Sequence, residues 1–201
     1  MDRDKIIAKG VTAALKLAET GRWGELTLAQ IAAQAKLKLA DFHGVADKGD
    51  LSDAVEGVFD GAMSEGSFDA DETPRTRLFD VIMMRFEAME EVRDGAMSYL
   101  RWRDRSLSGL AQRVRARAAT AKWALACAGL DGGSGLPMGV QLAGLGWAIA
   151  QAERAWKQET SPDMTRTMAA LDAELIKAEE RAGWLKRRGK TKPQEETAEQ
   201  T

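Results

Sequence analysis

The sequence predicts an all-α protein in which a small three-helix unit is joined to a larger helical body. Composition carries the first part of this. Alanine, leucine, methionine, glutamate, lysine and arginine dominate the 201 residues, and all of them favour helix. β-Signals are nearly absent: there is one tyrosine, and no alternating apolar run is bounded by Asn-Gly or Asp-Gly. The division into two units rests on a stretch of small and acidic residues, SEGSFDADET at 64–73, which has little to bury.

Residues 3–20 read as one amphipathic helix with Ile6, Ile7, Ala14, Leu15 and Ala18 on its buried side, ended by Gly21. Trp23 and Leu26 then close over the small unit. Residues 26–51 form its centre. Thr27 is placed to cap a helix whose Leu28, Ile31, Ala32 and Ala35 make a single apolar face. Lys36, Leu37 and Lys38 make a turn, and a second helix is expected over 39–46, burying Leu39 and Phe42. Short helix, tight turn, short helix is the helix-turn-helix layout, whose second helix can enter a DNA major groove. A further helix is expected from Asp50, with acidic residues in its first turn facing the positive end of the helix dipole.

Pro74 suits the first turn of the next helix, which carries Leu78, Phe79, Ile82, Met83, Phe86 and Met89. Further helices are expected from about 91 to 105, over 107–128 and over 138–157, with the glycine-rich LDGGSGLP at 130–137 as a break. The last helix is expected over 162–185, with Ser161 as its cap and Pro162 at its first position. The domain reading is therefore a head at 1–48, a connecting helix and junction at 49–73, a body at 74–185 and a disordered polar tail at 186–201.

Charge and cysteine usage narrow the function. The net charge of −2 makes the whole chain no electrostatic trap for nucleic acid. A lone cysteine, Cys127, excludes an internal disulfide and suits a reducing compartment. The opening residues have mixed charge with no apolar signal segment behind them, and the longest apolar run is too short to cross a bilayer, so a cytoplasmic protein without integral membrane association is expected. One histidine, one cysteine and no Gly-x-Ser-x-Gly leave catalysis, metal and cofactor without a motif.

The order of these parts resembles the TetR family of transcriptional regulators over most of the chain. The resemblance is carried by Ala13 to Ala18, Gly21, the run Leu26-Thr27-Leu28-Ala29-Gln30-Ile31-Ala32, then Ala35, Leu37, Phe42 and Asp47-Lys48-Gly49-Asp50-Leu51. A narrower likeness, in Thr160-Ser161-Pro162-Asp163-Met164, Thr167-Met168 and Leu171-Asp172, is to a branch sharing this fold with a lipid-binding protein of ubiquinone biosynthesis. The first resemblance implies a homodimeric regulator that binds operator DNA and responds to a ligand. By family position, Thr27, Lys36, Lys38, Asp41, His43 and Lys48 would touch DNA.

The sequence departs from the family pattern where DNA would be read. Lys36 stands where the family usually has glycine, and Asp41-Phe42-His43-Gly44-Val45-Ala46 lacks the aromatic pair that would rest on the sugar-phosphate. Gly44 weakens that helix by about 1 kcal/mol against alanine. Up to residue 60 there are eight basic and ten acidic side chains, a poor balance for phosphate neutralisation. A second reading therefore stands beside the first: a TetR-like protein that has lost DNA reading and binds an apolar small molecule or lipid.

In the body, Phe79, Met83, Phe86, Tyr99, Trp102 and Trp123 are the candidates for an apolar ligand pocket, against plain core as the alternative. Arginines at 101, 103, 105, 113, 115 and 117 read as a basic, largely solvated belt. Gly139, Ala143, Gly146 and Ala150 form one small-residue stripe, and Met164, Met168, Leu171 and Leu175 one apolar seam. Both suit a four-helix contact between two chains, with packing inside one chain as the alternative.

Overall fold

The computed structural model describes the backbone of residues 2–66, 69–105, 107–132 and 136–190, and the side chains of these save 107–111 and 184–190. Eight α-helices make up the described residues: α1 (Arg3–Ala18), α2 (Leu28–Gln34), α3 (Lys48–Ala62), α4 (Pro74–Glu91), α5 (Arg93–Arg105), α6 (Leu107–Cys127), α7 (Met138–Trp156) and α8 (Thr165–Lys190). No strand occurs among them. Two short 3₁₀ segments, Trp23–Glu25 and Leu39–Phe42, complete the head.

Local chemistry explains most boundaries. α2 opens on a capping box in which Thr27 Oγ1 accepts from the Gln30 amide, while the Gln30 side chain accepts from the Thr27 amide. α3 opens on the same device, Asp47 with Asp50, and so begins at Lys48 rather than Asp50. Thr73 caps α4, with Pro74 at its first position. Val92, at φ −124° and ψ 36°, leaves helical geometry and separates α4 from α5.

Three expectations are corrected. The second helix of the helix-turn-helix, read over 39–46, is one 3₁₀ segment followed by turns. Gly44 takes φ +71°, a left-handed conformation that interrupts a right-handed helix, and Asp41 folds back to accept from the Lys38 amide at 2.8 Å. The last helix starts at Thr165, not at residue 162. Met164 sits at φ +50°, and Glu159 caps the turn by accepting from the amides of Thr160, Ser161 and Thr167. The same helix runs on to Lys190, past the boundary read at 185; residues 191–201 lie outside the described residues.

One apolar core runs through both units. Val11, Leu15, Ile31, Phe42, Leu51 and Val55 fill its head end, and Ile82, Phe86, Leu100, Ile149 and Trp156 its body end. The join is made by α1 against α5. Gly95 lies so close to α1 that a Cβ there would be 2.2 Å from the Leu15 carbonyl oxygen, a contact only glycine permits. Trp23 fastens the same join: its amide donates to Ser98 Oγ at 3.0 Å, its indole N–H to Ser52 Oγ at 3.1 Å, and its ring meets Tyr99 edge-on at 5.0 Å.

Candidate functional site

The six residues read as DNA contacts divide into two groups. Thr27 is occupied by its capping box with Gln30, Asp41 by the Lys38 amide, and Lys48 by the Gly24 carbonyl, to which its ammonium donates at 2.8 Å. Partial burial lowers the Lys48 ammonium pKa from its ordinary value. Lys36, Lys38 and His43 are exposed around the 3₁₀ segment, with Leu39 half-exposed between them. Lys36 holds the left-handed turn, at φ +55°, that glycine would take without a steric cost. The edge offered to a phosphate backbone is therefore two lysines before the 3₁₀ segment and a histidine after it. A 3₁₀ segment of four residues is about 8 Å long, too short to lie along a major groove as an α-helix does.

Behind the head, a chain of buried ion pairs crosses the interior of the body. Glu56 and Asp60 of α3 pair with Arg85 of α4, and Glu56 pairs also with Arg103 of α5. Arg103 reaches Glu153 of α7 at 2.8 Å, and Glu153 holds Arg117 of α6 at 2.6 Å and Lys157 at 2.9 Å. Thr120 donates to Asp60 at 2.9 Å, and the Trp123 indole N–H donates to the Asp60 carbonyl at 2.9 Å. The Arg85 and Arg103 side chains are each 1% exposed, so these are interior ion pairs.

The electrostatics follow from burial against pairing. Burial alone would raise the Glu56 carboxyl, but Arg85 and Arg103 outweigh it and hold the group below the ordinary carboxylate range. Glu153 is held low in the same way, its burial outweighed by Arg117, Arg103 and Lys157. Asp60 goes the other way: burial prevails over Arg85 and Thr120 and raises its carboxyl. Tyr99, buried with its hydroxyl 3.4 Å from Glu56, is pushed well above the ordinary phenol value. All five helices from α3 to α7 are tied together by this network.

The residues read as a ligand pocket take several different places in the fold. Met83, Phe86 and Tyr99 are core, Trp102 lies tilted against Trp23 and Tyr99, and Trp123 is 43% exposed over the end of α3. Phe79 borders a different feature, an open groove of about 470 Å³ between α4 and the start of α8, lined by Arg75, Thr76, Phe79, Thr165, Met168, Ala169 and Asp172. The basic belt is likewise divided: Arg103 is buried and Arg117 nearly so, while Arg101, Arg105 and Arg115 face solvent.

The residues read as a contact between chains also separate. Met164, Leu171 and Leu175 are buried inside one chain, with Met168 half-buried, and Gly146 lies against Arg117. That seam is filled within the molecule and has little surface to offer a partner. Gly139 and Ala143 remain exposed and Ala150 is half-buried. Beside them on α7 and α8 stand Val140, Trp147 and Ile176, exposed apolar side chains.

The buried charges were missed by the sequence reading, yet a signal was there. Arg85 interrupts the apolar face Ile82, Phe86 and Met89, and Glu153 lies between Ile149 and Trp156 at the same helical spacing. A charge on a core face requires a buried partner. Among the described residues, no group of acidic, histidine or cysteine side chains could hold a metal ion. Among them, too, no helix is long and apolar enough to cross a membrane.

No family model matches the chain. No curated protein matches it either. Solved structures do. A TetR transcriptional regulator from Nitrosomonas europaea ATCC 19718 superposes with a TM-score of 0.69 at 20% identity, over 87% of this chain and 98% of that one. A TetR transcriptional regulator from Rhodococcus sp. RHA1 superposes with a TM-score of 0.61 at 15% identity, over 86% and 98%. At such identities the likeness is one of fold, and the chain has the all-α fold of TetR transcriptional regulators.

Proposed function

We propose that this chain is a homodimeric, cytoplasmic regulator of transcription that contacts DNA through its head. The observation that carries the reading is the extent of the fold likeness, which spans head and body alike and covers 98% of each regulator's chain. On this reading Lys36, Lys38 and His43 supply the exposed contacts, and Lys48 adds the N–H groups that its bond to Gly24 leaves over. Two heads in a dimer would meet successive major-groove faces about 34–36 Å apart. An apolar effector altering that separation would have to part Met83, Phe86 and Tyr99 to enter the core.

A second reading is favoured by one specific observation, the 3₁₀ segment in place of a reading helix. Here the fold is kept, sequence reading is lost, and an apolar molecule or lipid is the partner. A salt-dependent binding titration against the DNA upstream of the chain's own coding sequence separates the two. A regulator binds that DNA more tightly than random DNA, and its affinity falls as a power of salt concentration. Equal and weak affinity for both DNAs at low salt would sink the first reading.

A further inference from the structure

The tip of the head is apolar and firmly held. Leu39, the first residue of the 3₁₀ segment, is 51% exposed, and Ala40 beside it is exposed as well. Three contacts fix the segment under them. Phe42 is buried so close to α1 that a Cβ on Gly10 would come within 3.1 Å of its ring. Asp41 accepts from the Lys38 amide at 2.8 Å, and Arg3 Nε donates to the Val45 carbonyl at 3.3 Å. An apolar side chain on a fixed turn loses little freedom when it meets a partner.

The hydrogen-bonding groups around this tip are largely committed. Thr27 and Gln30 are joined in their capping box, and Asp41 is turned back on its own segment. Lys36 and Lys38 are exposed, but an ammonium is a point charge that suits a phosphate. His43 lies past the far end of the segment. What the tip itself offers a base edge is Leu39 and Ala40. In the major groove the bases of unmodified DNA present one apolar group, the 5-methyl of thymine. That groove is about 12 Å wide and about 8.5 Å deep, so a segment about 8 Å long enters it end-on.

We infer that the head reads DNA by its thymine methyl groups, with Leu39 as the specificity-determining contact, Ala40 beside it, and Lys36 and Lys38 on the flanking phosphates. This rests on the regulator reading above and names what its head recognises. A methyl group covered by leucine is removed from water and adds to affinity. Cytosine in the same place presents an amino group, for which this tip has no acceptor to spare. Phosphate contacts fix register and strength without reading sequence, so the two roles fall on different residues.

Fluorescence anisotropy tests this with the DNA upstream of the chain's own coding sequence, prepared with thymidine or with deoxyuridine throughout. Deoxyuridine pairs as thymidine does and lacks only the methyl. The wild type should bind the thymidine form more tightly, by about 4-fold for each methyl covered and about 15-fold when each of two heads covers one. Leu39→Ser weakens binding to the thymidine form and abolishes the difference between the two forms, with the salt dependence unchanged. Lys38→Gln weakens both forms alike and lowers the salt slope by about one for each head. Circular dichroism verifies the folding of each variant, and the comparison of the two forms on the wild type needs no variant. A wild type that prefers this DNA to random DNA yet binds both forms equally overturns the methyl reading and leaves the regulator reading intact. A difference that survives Leu39→Ser comes from the shape of the duplex and overturns the contact. No preference over random DNA overturns both readings.

Discussion

A methyl group placed on Gly95 would sit 2.2 Å from the carbonyl oxygen of Leu15 and 2.9 Å from its carbonyl carbon. Both are backbone atoms of α1, so no rotamer change relieves the clash. Carbon needs about 3.5 Å to such neighbours, and α5 must therefore withdraw from α1 by about 1 Å. That movement loosens Leu15, Ala96 and Tyr99, all buried at this join. Overpacking of this kind costs about 1–3 kcal/mol, and a backbone obstacle belongs at the upper end. The gain in helix propensity returns less than 1 kcal/mol. Gly95→Ala should thus destabilise by about 2 kcal/mol, lowering the melting temperature by about 4–8 °C in a chain of this size. Gly57→Ala is the matched control, because a Cβ at Gly57 in α3 meets nothing within 4 Å. It should stabilise by about 0.5–1 kcal/mol. Melts followed by far-ultraviolet circular dichroism measure both. If Gly95→Ala melts at or above the wild type, or if both variants shift the same way, the close approach of α1 and α5 is wrong.

The interior ion pairs give a pH dependence with a definite sign. Glu56 and Glu153 are held below the ordinary 4.5, so their contribution is complete above that value and is lost as pH falls through their lowered folded values. Asp60, raised in the folded state, acts oppositely and blunts the loss. Urea midpoints between neutral and acid pH should fall on acidification. Arg103→Met, which takes one cationic partner from each of Glu56 and Glu153 and leaves Arg85, Arg117 and Lys157, should cost up to about 3–5 kcal/mol at neutral pH and flatten that fall. Wild-type midpoints that stay level or rise into acid would contradict the pairing. Lys36→Gly should stabilise the head by up to about 1 kcal/mol, since glycine takes φ +55° without the steric cost, and a destabilised variant in chemical denaturation would count against that backbone geometry.

Much of the architecture was legible because it depends on local periodicity. The apolar faces of α1 and α2, the Thr27 cap, Pro74 at the start of α4 and the all-α class all follow from spacings of three and four and from single residues with fixed conformational habits. Lys36 was legible too, as a non-glycine residue where the turn is left-handed. The reading segment was only half legible. Gly44 was visible as a weak point, but whether residues 39–46 keep a helix depends on competition between a few local bonds and the packing of Phe42.

What the sequence determined by itself was the helical class, the order of the helices and the poor charge balance of the head. Tertiary structure decided which faces are interior. Helical spacing marks a stripe as apolar or small without saying whether it meets its own chain or another. So Leu171 and Leu175 went inside, while Val140, Trp147 and Ile176 stayed out. The same holds for charge. Arg103 in a run of arginines reads as surface, and it becomes interior only because α3 and α7 bring Glu56 and Glu153 to it across 47 and 50 residues of chain. A buried charge is tolerable only beside its partner, and that partner is set by the packing of distant helices.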